Sequence, residues 1–170
     1  MLDIDGTLVG RSGEISPANR AAVARAGARG VPVILATGRI PAETVRYYRA
    51  LRLTTPLVCY HGAIVFAGGE NLCECFTGDS PKRAMLLDDA LDGSAVRRIV
   101  EVILDEQADA QILLGLRNRY IINRLGNLPE HWDMNGPSRP AESPLKAWLA
   151  ERIYKVCHYS SDPDQVARVA

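Results

Sequence analysis

No apolar run in the 170-residue chain approaches the roughly 18 residues that a membrane-spanning helix requires. A helical membrane protein is therefore excluded. Net charge is also missing, because 20 basic and 20 acidic residues cancel. With no global field, nothing points to a nucleic-acid partner. Cysteine is scarce: Cys59, Cys73, Cys75 and Cys157. Cys73 and Cys75 lie two apart, on one face of a strand-like stretch, and no second pair completes a zinc pattern. Reduced, packed thiols and a cytoplasmic location are expected. Internal repeats and low-complexity tracts are absent. The sequence opens directly on a strand, and no signal peptide is expected. That strand is short, and the natural chain is expected to begin a few residues earlier.

What remains is an ordinary globular composition, 47% apolar and 24% charged. The length allows one ordinary domain or two small ones. The stretch that organises the rest is Asp3-Ile4-Asp5-Gly6-Thr7-Leu8. Residues 1–4 read as a strand, and side chains two apart on a strand share a face. Asp3 and Asp5 would then point the same way. Gly6 permits a sharp turn that exposes backbone N–H groups. Two carboxylates beside free donors suit a Mg²⁺ ion and a phosphate. Asp-Gly is also a common dipeptide of plain surface turns.

Ser16 and Pro17 open a helix that Gly30 ends. Val31 to Ala36 is a continuous apolar strand, as a sheet covered on both faces requires. Thr37-Gly38-Arg39 follows it, and Pro41 starts a helix to about Leu51. Leu57 to Tyr60 is a third strand, turned by His61-Gly62-Ala63. Ile64–Phe66 and Leu72–Phe76 read as a hairpin through Gly68-Gly69. The pattern changes near residue 78, and residues 79–93 carry no clear assignment. From Ser94, residues Val96, Ile99, Val100, Ile103 and Leu104 form one helical apolar face. Strands follow near Gln111–Leu116 and Arg119–Asn123, then a loop over 126–144. Leu145, Trp148 and Leu149 suggest a short helix, Ile153–Tyr159 a strand, and Asp162-Pro163 a further helix start. The fold class is α/β: a partial Rossmann-like parallel sheet over residues 1–78, with an inserted α+β unit over 79–170.

Ligands of an open parallel sheet bind beyond the carboxyl ends of its strands. Asp3 and Asp5, then Thr37, Gly38 and Arg39, then His61 and Gly62 all end strands on that side. Each has a plainer reading as well. Thr37 could cap a helix, and Arg39 could be a solvated charge.

At these residues the chain resembles a known family. Asp3-Ile4-Asp5-Gly6-Thr7 is similar to the first motif of the haloacid dehalogenase superfamily, and Leu35-Ala36-Thr37-Gly38-Arg39 to its second. Tyr60-His61-Gly62-Ala63 and a hairpin before an α+β cap resemble the Cof-type phosphatases. The resemblance implies a Mg²⁺-dependent phosphatase acting on a small phosphorylated metabolite, such as a sugar phosphate. Asp3 would be the nucleophile and would form an aspartyl-phosphate. Asp5 would be the general acid and then the base. Asp3 and the backbone carbonyl of Asp5 would hold Mg²⁺. Thr37, with backbone N–H groups near Ile4, Gly6 and Gly38, would bind the phosphoryl group. Arg39, His61 and Gly62 would be candidate substrate contacts, with Arg124, His131, Trp132 and Arg139 as weaker ones in the second unit.

The sequence departs from the family at His61, where Asn is common. The family's third-motif Lys and acidic fourth motif are not found. Gly78-Asp79 lacks a second Asp. Lys155 lies on a cap-like strand, and Asp88 and Asp89 read as solvated cap residues. The chain is therefore expected to be a fragment. The alternative is a non-catalytic remnant that binds metal or phosphate or serves as an interaction module. Phosphotransfer to another acceptor is a third possibility.

Overall fold

The computed structural model describes residues 1–69, 72, 85–126, 139–144, 147–148 and 151–160. Cys73 to Phe76, Gly78-Asp79, His131, Trp132, Leu145, Leu149 and Asp162-Pro163 lie outside the described residues. The chain divides into two compact units, Met1–Asp89 and Ala90–Ala170.

The first unit holds a four-stranded sheet in the order β1-β2-β3-β4, with β1 at Leu35–Ala36, β2 at Leu57–Cys59, β3 at Ile64–Phe66 and β4 at Met85–Asp88. β1 and β2 are parallel, and β2-β3-β4 are antiparallel. The sheet is thus mixed, with a parallel pair continued by antiparallel strands. The expected strand at residues 1–4 is reduced to a single parallel bridge between Leu2 and Leu35. Ile4 is already in a turn, so strand alternation does not align Asp3 with Asp5. Val31 to Ile34 likewise stay outside the strand. Pro32 has no N–H to give a ladder.

Most of the expected hairpin partner of Ile64–Phe66, residues 73–76, lies outside the described residues. A strand has two edges, and those of β3 are taken by β2 and β4. β4 falls where periodicity gave no assignment. It spans only four residues, and its Leu86 and Leu87 are exposed, so burial left no alternation to read.

Helix α1 (Pro17–Ala28) shows why local signals sufficed there. The Ser16 hydroxyl accepts from the Asn19 N–H at 3.1 Å. At the other end Gly30, with φ +74°, donates to Gly27 O, and Val31 donates to Ala26 O. That pair of bonds is a Schellman motif. None of the α1 side chains is buried. A 12-residue helix is marginal alone. Asn19 ties it to the loop before it, and Arg20 ties it to the Ala50 carbonyl. α2 (Pro41–Ala50) instead packs inward through Thr44, Tyr47 and Tyr48.

The second unit holds α3 (Gly93–Glu106) and a sheet ordered β7-β6-β5-β8. Its strands are β5 (Gln111–Leu116), β6 (Tyr120–Ile122), β7 (Ala141–Glu142) and β8 (Ile153–Tyr159). Asp92 caps α3, accepting from the N–H groups of Ser94 and Ala95 at 3.0 Å each. Val96, Val100 and Ile103 bury against Ile112, Leu114, Leu116 and Trp148. Ile99, assigned to that face by spacing, is exposed. β7 also corrects the expectation of loop over 126–144, because it pairs in parallel with β6. With only two residues it is too short to show a period.

Candidate active site

The Leu2–Leu35 bridge brings the chain before Asp3 alongside β1. Leu2 donates to Ile34 O at 2.8 Å and accepts from the Ala36 N–H at 3.0 Å. Asp3 therefore leaves on the edge where β1 leads into Thr37 and Gly38. Asp3 is exposed and makes no hydrogen bond or ion pair among the described residues.

The turn after it is tightly wound. Ile4, fully buried, gives its carbonyl to the N–H groups of Leu8 at 3.0 Å and Val9 at 2.9 Å. Gly6 has φ +73°, and its own N–H donates to Val9 O at 3.0 Å. Gly6 therefore shapes the turn, and its amide is already used. Asn19 Nδ2 donates to Leu8 O at 2.9 Å and Thr7 O at 3.3 Å, fixing the loop from outside.

Arg39 grips Asp5 with a two-pronged contact: Nε to one carboxylate oxygen at 2.8 Å and Nη2 to the other at 2.6 Å. The hydrogen bond to Asp5 is the main cause holding the Arg39 guanidinium protonated far above its ordinary value, outweighing burial, which acts the other way. The Arg39 guanidinium lies over the Tyr47 ring at 5.6 Å. Tyr47 is buried and donates its hydroxyl to Gly13 O at 3.1 Å.

Thr37 is buried, and its hydroxyl accepts from the Arg39 N–H at 3.2 Å. Two backbone bonds join this loop to the turn after β2. His61 N–H donates to Thr37 O at 3.0 Å, and Tyr60 N–H donates to Arg39 O at 3.2 Å. The turn holds three consecutive positive φ values: Tyr60 at 51°, His61 at 55° and Gly62 at 109°. Left-handed backbone is unfavourable for Tyr and His by roughly 1–2 kcal/mol per residue. The His61 ring lies against Gly38, where a Cβ would come within 2.3 Å of its Cε1 and Nε2. Only glycine leaves room for that approach.

Asp5, Thr37, Gly38, Arg39 and His61 are thus linked by direct contacts. Asp3 joins them through the register of its neighbour Leu2, and Gly62 through the shared turn. Asn19 and Tyr47 were not found from the sequence. Asn19 stands alone at the third helical position, and Tyr47 reads as one more apolar helix residue. Lys155 pairs with Gly115 in the second unit's sheet. Arg124 uses its guanidinium on Asp109 O at 3.4 Å. No group of three or more His, Cys, Asp or Glu side chains able to hold a metal occurs among the described residues. No helix among them is long and apolar enough to cross a membrane.

Known proteins resemble the chain in sequence and in fold. Pyridoxal phosphate phosphatase YbhA of Escherichia coli is 37% identical over 65 residues, which are 38% of this chain and 24% of that protein. A haloacid dehalogenase-like hydrolase from Bacteroides thetaiotaomicron superposes with a TM-score of 0.74 at 20% identity, over 99% of this chain and 59% of that one. A haloacid dehalogenase-like hydrolase from B. subtilis gives 0.73 at 15% identity, over 98% of this chain and 63% of that one. The chain therefore spans less than two thirds of the length of these relatives. The family model for haloacid dehalogenase-like hydrolases matches residues 1–169, and the chain belongs to that family.

Proposed function

We propose that the whole protein is a Mg²⁺-dependent phosphatase that hydrolyses a small phosphorylated metabolite, of sugar-phosphate type, through an aspartyl-phosphate on Asp3. The observation that carries this reading is the junction of three loops. Arg39 joins Asp5 to the Thr37-Gly38 loop, and backbone bonds join that loop to Tyr60-His61. Relatives support it: one is a pyridoxal phosphate phosphatase, and another solved structure, with a TM-score of 0.73 at 14% identity, is a sugar phosphatase of subclass IIB.

A carboxylate oxygen of Asp3 attacks phosphorus, and the bond from phosphorus to the ester oxygen breaks. Asp5 gives its proton to the leaving oxygen. It then takes a proton from the water that attacks the acyl-phosphate, which frees Asp3 and inorganic phosphate. The N–H groups of Ile4 and Gly38 have no acceptor among the described residues, so they are available to phosphoryl oxygens. The Thr37 hydroxyl adds a donor. His61 and Gly62 border the leaving group. Two carboxylates are few for a metal, but Mg²⁺ commonly uses one or two together with waters and substrate phosphate. Asp3 and the Asp5 carbonyl fit that demand, and the ion would supply charge neutralisation between nucleophile and phosphate. The second unit would act as the cap that confers specificity.

The test is hydrolysis of p-nitrophenyl phosphate, with and without Mg²⁺, by the whole protein and by Asp3→Asn. Mg²⁺-dependent turnover that Asp3→Asn abolishes is expected. Equal rates for the two proteins would remove Asp3 from the chemistry and leave a binding function.

A further inference from the structure

We propose that Arg39 is not a substrate ligand but a positioning residue that fixes the Asp5 carboxylate, and that Tyr47 acts on the reaction through Arg39. The inference rests on the phosphatase reading above and adds two roles to it.

The geometry of the Arg39–Asp5 contact comes first. Both nitrogens of one guanidinium edge meet both carboxylate oxygens, at 2.8 Å and 2.6 Å. This fork fixes the plane of the carboxylate as well as its distance. Each carboxylate oxygen has a second lone-pair direction, turned away from the fork, where the proton that Asp5 gives and then takes would be carried. A guanidinium committed in this way has one edge fewer to offer a phosphate.

The second point is magnitude. The Asp5 side chain is 56% exposed and that of Arg39 is 26% exposed. Ion pairs this open to solvent contribute little to stability. The fold therefore has little need of the pair. Orientation is a different matter, since a reacting group displaced by about 1 Å can lose ~100-fold in rate.

The third point is what stands behind Arg39. Tyr47 is buried on α2, and its ring lies beneath the guanidinium at 5.6 Å. The same ring carries the Arg46 guanidinium at 4.6 Å, and its hydroxyl is tied to Gly13 O. Gly13 lies on the loop that begins at Asp5. Tyr47 is thus held to that loop directly while it backs the arginine that grips its first residue. The Arg39 backbone is pinned as well, by the Tyr60 N–H at 3.2 Å. A substrate-binding arginine needs reach, whereas this one is fixed at its carbonyl, its ring contact and its tip.

Steady-state kinetics on p-nitrophenyl phosphate with the whole protein separates the possibilities. Arg39→Met and Tyr47→Leu should each lower kcat by about 10- to 100-fold, with KM changed less than about threefold. The double variant should be no slower than the worse single, because both act on one group. Arg39→Lys keeps the charge but loses the fork, and it should remain as slow as Arg39→Met. Tyr47→Phe keeps the ring and should recover most of what Tyr47→Leu loses. If truncating buried Tyr47 prevents folding, the two Arg39 variants decide the first role and Tyr47→Phe against Tyr47→His decides the second. A raised KM with kcat held in Arg39→Met, or rescue by Arg39→Lys, would make Arg39 a substrate ligand and overturn the proposal. Multiplying losses in the double variant would overturn the role of Tyr47. Full activity in Asp3→Asn would instead fail the phosphatase reading itself, before any Arg39 variant is compared.

Discussion

Gly38 and His61 are 23 positions apart in the chain, yet the fit between them decides what position 38 can be. The atoms that a Gly38 Cβ would strike belong to the far edge of the imidazole, which can swing away. Gly38→Ala should therefore fold with little loss of stability while displacing the His61 ring. Urea unfolding and the His61 ring resonances would show this as a small change in midpoint and a large change in shift. An unmoved ring would contradict the close approach. The sequence placed Gly38 and His61 at strand ends but could not show that one covers the other. Contact between two loop tips leaves no periodic trace. The same is true of Arg39, whose motif was legible while its partner Asp5 was not.

At the level of elements, the legible parts were those whose signals are local. α1 is the clearest case, with a serine cap, a proline at the first position and a glycine stop. Because none of its side chains is buried, its cap matters more than usual. Ser16→Ala should cost about 1 kcal/mol, read as a shift in urea midpoint, and no shift would mean that Asn19 and Arg20 alone hold the helix. α3 depends on a charged cap. Hydrogen bonds from the Ser94 side chain and the Ala95 N–H hold the pKa of Asp92 below its ordinary 3.8. A depressed carboxylate stabilises the folded state above its unfolded value and stops doing so as pH falls through its folded one. The difference in stability between the natural protein and Asp92→Ala should therefore be constant near neutrality and shrink as pH drops below 3.8. A difference that persists in acid would assign the effect to geometry rather than charge. The elements that escaped the sequence, β4 and β7, have four residues and two. Strands that short pair through backbone and carry too few side chains to show an alternation.

For the molecule as a whole, the α/β class was legible from composition and period. The order of the strands in each sheet was not, because it depends on connections and not on residue type. Two hydrogen bonds mark the passage between the compact units. Asp89 N–H donates to Ala63 O at 2.9 Å, within the first, and Leu91 N–H donates to Ile153 O at 2.8 Å, within the second. The core of the first unit also sets a global property. Burial pushes the Cys59 thiol from 9.0 up to about 12, against the weaker opposing effect of its hydrogen bond to the Thr44 hydroxyl. A group with a raised folded value stabilises fully below its unfolded value and loses that contribution as pH rises through the folded one. Stability should decline between those two values, and Cys59→Ala should lack that component of the decline. Identical alkaline unfolding curves would contradict it. Below that range Cys59 should resist alkylation until the protein unfolds, which mass spectrometry can follow.

The left-handed run at Tyr60, His61 and Gly62 has an evolutionary consequence. Sites that store backbone strain are where selection for robustness and selection for turnover pull apart. His61→Gly would relieve about 1 kcal/mol of that strain and would also strip the cover from Gly38. A library screened only for heat resistance should therefore enrich glycine at position 61, and under the proposed phosphatase function the survivors should turn over substrate more slowly. A lineage kept under demand for activity would retain a residue there that its own backbone disfavours.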